Sequence, residues 1–214
     1  NILQCRGISF IHPRRSSFSS PFVLTLDDFS LKSGEVVALM GPNGSGKSTF
    51  SRLLCGLDTP SEGTIILDET PCNKERLERS VGYMFQNPDY QIFLPQVKDE
   101  LSYSLSFLKI KEKEKEKRLS ETAALFSLSL SDTASLMSYG ERKRLQSAIY
   151  YSLDRPFYIL DELDSALTYK ESISILEKLS RNGAGILLIT HDNDFASAVA
   201  DRGYRAKEGR IYEE

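Results

Sequence analysis

Residues 41–49 read Gly41, Pro42, Asn43, Gly44, Ser45, Gly46, Lys47, Ser48 and Thr49. This spacing fits G-x-x-x-x-G-K-[ST], with Gly41, Gly46, Lys47 and Ser48 at the fixed places. The apolar run 35–40 precedes it and reads as a buried strand. Residues 49–55 follow it and read as a helix that ends at Gly56. Strand, glycine loop and helix together make a phosphate site. The glycines let backbone N–H groups turn inward around an anion, and the helix N-terminus adds partial positive charge. Lys47 is placed to reach β- and γ-phosphates and the Ser48 hydroxyl to ligate Mg²⁺. A turn that binds nothing has no packing use for Lys-Ser after its last glycine.

Composition narrows the class further. The chain has 214 residues, room for one large domain or a core with a subdomain. It carries 27 basic and 30 acidic residues, a net charge of −3, so no global basic field argues for nucleic acid. No apolar run approaches the length that spans a bilayer. Residues 1–6 read as the start of a strand and not as a signal peptide. Cys5, Cys55 and Cys72 have no metal-ligand spacing and fit reduced thiols in the cytosol. With His12 and His191 as the two histidines, histidine-rich metal chemistry is not expected.

Along the chain, residues 1–11 and 22–40 alternate apolar and polar side chains, as half-buried strands do. Residues 63–68 and 81–85 read as further short strands. From 97 to 137 the period becomes helical: Val97, Leu101, Leu105 and Leu108 share one face, and Leu119, Ala123, Phe126 and Leu130 form the next stripe. The Lys/Glu run 109–118 fits a solvated helix face or a linker. Strand character returns at 157–160 and 185–189, helices are expected over 140–153, 169–181 and 195–200, and 203–212 reads as a closing hairpin. The expectation is one α/β domain over 1–214, a P-loop NTPase core with an N-terminal antiparallel β subdomain and an α-helical subdomain at about 90–140. No C-terminal extension is expected.

Three strand ends carry further chemistry. Asp161 closes an apolar strand, where a P-loop protein needs a carboxylate for the Mg²⁺ shell, and Glu162 is placed to polarise an attacking water. His191 follows the strand 185–189 and could hold the water–phosphate geometry. Gln86 ends another strand, where its amide could sense Mg²⁺ or the water. Ser138, three places before Glu141, is a capping box. The same helix start, through Ser138 and the Gly140 backbone, could bind a γ-phosphate supplied by a second subunit.

In this order the residues resemble the nucleotide-binding subunits of ABC transporters, over essentially the whole chain. The resemblance assigns a Walker A motif to 41–49, a Q-loop to Gln86, a signature to 137–141 and a Walker B strand to 157–161. It makes Glu162 the catalytic carboxylate and His191 the switch histidine. It implies the ABC-type ATPase fold, with ATP and Mg²⁺ sandwiched in a head-to-tail dimer between one subunit's Walker A motif and the other's signature, including Glu141. The segment 81–93 is most similar to the ATPases of energy-coupling factor transporters, which take up vitamins or transition-metal ions. That implies a second, often non-identical ATPase, a transmembrane coupling protein and a membrane substrate-binding subunit, at the cytoplasmic face of the membrane. Residues 86–96 would line the groove for coupling helices, with Asp89 meeting a basic residue there. The alternatives within the class are a conventional ABC transporter or a soluble ATPase of DNA repair or translation.

Three positions depart from the family pattern. Tyr139 replaces a signature glycine, Thr168 replaces the D-loop aspartate, and His12 stands where the adenine-stacking aromatic usually falls, with Phe10 as the other candidate. The altered signature and D-loop imply a heterodimer with two unequal sites; the alternative is a homodimer that tolerates both changes.

Overall fold

The structure, a computed structural model, describes residues 1–11 and 21–214. His12 lies outside the described residues. In chain order the strands are β1 Ile2–Ile11, β2 Val23–Lys32, β3 Val36–Met40, β4 Glu62–Leu67, β5 Thr70–Pro71, β6 Val81–Met84, β7 Phe157–Asp161, β8 Gly185–Ile189, β9 Arg202–Lys207 and β10 Arg210–Glu213. The helices are α1 Lys47–Leu54, α2 Lys74–Ser80, α3 Val97–Ser106, α4 Glu112–Leu125, α5 Tyr139–Leu153, α6 Tyr169–Ser180 and α7 Asn193–Val199.

The chain divides into two compact units. The first holds residues 1–83, 156–160 and 183–214. Its frame is a sheet of order β5-β4-β1-β2-β10-β9-β3-β8-β7-β6. At one side β1 pairs antiparallel with β2 (Leu3 opposite Leu31, Phe10 opposite Leu24) and with β4. On the other, β3 runs parallel to both β8 and β9. This split follows from the side chains. β1 and β2 alternate buried and exposed residues, as a sheet covered on one face requires, whereas all five residues of β8 are buried. The hairpin β9–β10 turns at Glu208 and Gly209, both at positive φ (50° and 80°), the backbone that a tight two-residue hairpin loop selects.

Helix α1 packs on this sheet through Phe50, Leu53 and Leu54, all at most 1% exposed. Their i, i+3, i+4 spacing makes one apolar stripe, and each such buried side chain contributes about 1.5–3 kcal/mol. Phe50 meets Phe29 of β2 edge-on at 5.1 Å. The helix stops in a Schellman turn: the Gly56 N–H donates to Leu53 O and the Leu57 N–H to Arg52 O, with Gly56 at φ 77°.

The second unit holds residues 84–155 and 161–182. It is larger than the expected 90–140 insert, because α5 packs on α3 and α4 and carries α6 with it. Val97, Leu101 and Leu105 face inward as their spacing predicts, and Leu108 falls just past the end of α3. The Lys/Glu run becomes the first turns of α4, with Arg118 paired to Glu114. The sequence did not point to α2 or the short strand β5. Glu100, 2% exposed, accepts hydrogen bonds from the Phe93 and Leu94 N–H groups. Burial pushes its carboxyl pKa up, against those two bonds.

Candidate functional site

In the first unit, β3 ends at Met40 and the glycine loop begins at Gly41. Two positions of the loop call for glycine. Gly46 is at φ 111°, and a Cβ there would lie 2.6 Å from Leu24 Cδ1. A Cβ on Gly41, at φ 150°, would lie 2.2 Å from the Ala206 carbonyl oxygen. Helix α1 starts at Lys47 with Gly46 as its N-cap and no side-chain cap, so its leading N–H groups have no acceptor from its own turn. Lys47, 8% exposed, folds back across the loop and donates to Gly41 O at 2.6 Å and Pro42 O at 3.0 Å. Ser45 Oγ is buried without a hydrogen-bond partner. Donors, a buried ammonium and an unsatisfied hydroxyl around one glycine cradle fit a polyphosphate. Ser48 is exposed at the mouth of the loop.

Parallel pairing of β3 with β8 (Leu39 opposite Ile189) brings the end of β8 to the same sheet edge as Gly41. Buried Thr190 follows, and then exposed His191. The Thr190 hydroxyl accepts from the Asp192 N–H at 3.0 Å, and Asp192 caps α7 by accepting from the Phe195 N–H at 2.9 Å. His191 therefore stands on a turn braced from both sides.

In the second unit the strand ends meet. Asp161 is the last residue of β7, and Glu162 follows at φ 49°. This left-handed backbone is held by its own carbonyl, which accepts from Ser165 N at 3.1 Å, Ser165 Oγ at 2.8 Å and Lys143 Nζ at 3.1 Å. The Gln86 Nε2 donates to Glu162 Oε2 at 2.5 Å. Gln86 and Glu162, expected to share a site, are thus in direct contact.

Four side chains of α5 tie the loop 85–91 to that helix. The Tyr139 hydroxyl donates to Gln86 O at 3.0 Å. Arg142 pairs with Asp89 at 2.8 Å. Gln146 Nε2 donates to Phe85 O at 3.0 Å and to Gln91 Oε1 at 2.5 Å. Gln91 Nε2 in turn donates to the Tyr150 hydroxyl at 2.5 Å, while its Oε1 accepts from the Phe85 N–H. Asp89, expected to meet a basic residue of a partner, pairs with Arg142 of its own chain and keeps about half of its side chain exposed.

The sequence reading missed Lys143, Gln146 and Tyr150. Their trace in the sequence is polar residues at 139, 142, 143, 146 and 150 on one helix face, a pattern that a solvated face gives equally well. Lys143 is fully buried, and burial pulls its pKa down to about 8 against the opposing pull of Asp161, Glu162 and Asp164. At the start of α5 the capping box is present. Ser138 Oγ accepts from the Glu141 N–H, and Glu141 Oε2 accepts from the Ser138 N–H at 2.8 Å. The Ser138 hydroxyl also donates to Glu141 Oε2 at 2.7 Å, and this bond, then the one from the Ser138 N–H, lowers the Glu141 pKa. Gly140 packs tightly: a Cβ there would lie 3.3 Å from the Ala166 carbonyl oxygen. Thr168 makes a second capping box, with Glu171, at the start of α6. Among the described residues, no group of three or more His, Cys, Asp or Glu could hold a metal ion.

A glycine cradle between a buried parallel strand and an uncapped helix is the nucleotide site of the P-loop class. Within that class, a sequence profile described as ABC transporter matches residues 24–165, and the chain belongs to that family. It has the ABC ATPase fold, a mixed α/β sheet with helices. It is 32% identical over 218 residues to a putative ABC transporter ATP-binding protein of Bacillus cereus, covering 98% of this chain and 38% of that protein. The chain thus spans well under half of that relative's length. It is 34% identical over 184 residues to the energy-coupling factor transporter ATP-binding protein EcfA1 of Thermotoga maritima, covering 83% and 70% respectively. The solved structure of cbiO1 from Clostridium perfringens, part of the ABC transporter complex cbiONQ, superposes with a TM-score of 0.82 at 27% identity, over 98% of this chain and 86% of that one.

Proposed function

We propose that this chain binds and hydrolyses ATP to power an importer of the energy-coupling factor kind, for a vitamin or a transition-metal ion. The observation that carries the reading is the glycine loop, with α1 opening onto it uncapped at Lys47. ATP phosphates would lie on the backbone of 41–49, with Lys47 turning from its loop carbonyls to the β- and γ-phosphates. Ser48 and Asp161, with the Gln86 amide oxygen, are hard oxygen donors of the kind Mg²⁺ takes. The ion would neutralise charge on the phosphate oxygens. Glu162 would orient and deprotonate the water, His191 would fix its geometry, and His12 would stack on adenine, since Phe10, the other candidate, is buried in the core at 9% exposure. Ser138, Gly140 and Glu141 would face the nucleotide of a second, non-identical ATPase in a head-to-tail pair.

A membrane partner is supported by a patch in the second unit. Tyr90 and Phe93 are 77% and 66% exposed, and Phe93, Tyr103 and Phe107 stack edge to face at 5.5 and 5.1 Å. Beside them a cleft of about 410 Å³ is lined by Ile92, Phe93, Leu94 and Pro95. Among the described residues no helix is long and apolar enough to cross a membrane. In this reading a coupling protein and a substrate-binding subunit form the membrane path, and this chain docks on them at the cytoplasmic face.

Glu162→Gln tests the reading. It leaves the phosphate loop untouched and removes the base, so MgATP binding stays while turnover falls by about 10²- to 10⁴-fold. Unchanged hydrolysis would overturn the assignment of Glu162.

A further inference from the structure

We propose that Tyr139 is a positioning residue: by holding the Gln86 backbone it keeps the Gln86 amide on Glu162, and so restrains hydrolysis until the start of α5 moves. The inference rests on the ATPase reading above and adds a residue to it.

The geometry is a short chain of hydrogen bonds. Tyr139, half-buried, is the first residue of α5, directly after the N-cap Ser138. Its hydroxyl donates to the Gln86 carbonyl. The next peptide back is also pinned, since Phe85 donates its N–H to Gln91 and accepts from Gln146 at its carbonyl. Gln86 therefore sits on a backbone fixed before and after its Cα, and its side-chain amide meets Glu162 Oε2. Glu162 itself cannot easily withdraw, because its carbonyl takes three donors in the left-handed region.

A carboxylate oxygen that already accepts a hydrogen bond from an amide has one lone pair fewer to offer a water. Hydrolysis by Glu162 thus requires Gln86 to let go. Loosening the Gln86 backbone makes that easier, and the Tyr139 hydroxyl is the group that holds the Gln86 carbonyl itself. Because Tyr139 adjoins Ser138 and precedes Gly140, any ligand that shifts this helix start also shifts the hydroxyl. A glycine at position 139 would leave the link out altogether. One net hydrogen bond of ordinary strength corresponds to about a two- to tenfold effect on a rate.

The test is Tyr139→Phe in the chain with its co-purified partners, which deletes the hydroxyl and keeps the ring. The expected result is a kcat for ATP hydrolysis about two- to tenfold higher with KM unchanged. It also includes faster amide hydrogen exchange over 86–91 with α3 and α4 unaltered. In a Gln86→Ala background the Tyr139→Phe effect should vanish, since its target is gone. A kcat equal to or below that of the wild type, or an equal gain in both backgrounds, overturns the proposal. If the wild type turns over and Glu162→Gln does not while Tyr139→Phe behaves as wild type, this inference alone fails. If the wild type neither binds nor hydrolyses ATP, the ATPase reading fails with it.

Discussion

At the scale of single residues, the loop positions answer to backbone geometry. Gly41 and Gly46 adopt φ values that side chains rarely accept, and each has a neighbour where a Cβ would go. Lys143 answers to electrostatics. It is a buried cation near Asp161, Glu162 and Asp164, and its pKa drops from 10.5 to about 8 because burial outweighs those attractions. Below pH 8 the side chain is protonated both folded and unfolded, and the folded state bears the full cost of burying it. Between about 8 and 10.5 the folded chain releases the proton while the unfolded chain keeps it. The unfolded state then binds more protons, so stability rises with pH. Relative to Lys143→Met, the wild type should gain on the order of 3 kcal/mol across that window. Urea unfolding of both proteins at several pH values checks this, and parallel curves would show that Lys143 does not titrate there. The phosphate-loop residues were legible in the sequence because their spacing is local. Lys143 was not, because its neighbours lie about twenty residues further along the chain and only folding brings them close.

At the scale of elements, two helix starts explain two departures from the family pattern. Thr168 and Tyr139 each have a use inside the chain. The Thr168 hydroxyl accepts from the Glu171 N–H and donates to Glu171 Oε2 at 2.8 Å, and Tyr139 holds Gln86. Thr168→Ala removes the cap of α6 and should lower stability by about 1 kcal/mol, read as a lower urea midpoint at unchanged slope. The strands and the helices α5, α6 and α7 fell within a residue or two of where periodicity and capping residues set them. β5 and α2 escaped notice because they are too short to show a period. The face of α5 that grips the loop 85–91 also escaped notice. Polar residues at helical spacing read as solvated unless a partner segment is known, and the partner here lies some sixty residues upstream.

At the scale of the whole molecule, the proposed transport role places the partner-facing surface at the exposed aromatics of the second unit. Phe93→Asp puts a charge where an apolar contact is expected. It should reduce recovery of membrane partners from mild detergent by about tenfold, as loss of one anchor residue does, while leaving MgATP binding as it is. Equal recovery would remove this patch from the interface. The same pull-down identifies a second ATPase by mass, and with it the pairing that Tyr139 and Thr168 suggested. Sequence spacing was enough for the phosphate loop, the strand carboxylates, the capping box at Ser138 and the fold class. Each is written in spacings of a few residues, over which backbone geometry leaves little choice. Packing alone revealed that Asp89 is held by Arg142, that Lys143 is buried, and that Tyr139, Gln86 and Glu162 form one hydrogen-bonded series. Those contacts join segments far apart in the chain, and their existence depends on how helices and strands pack, which no local pattern encodes.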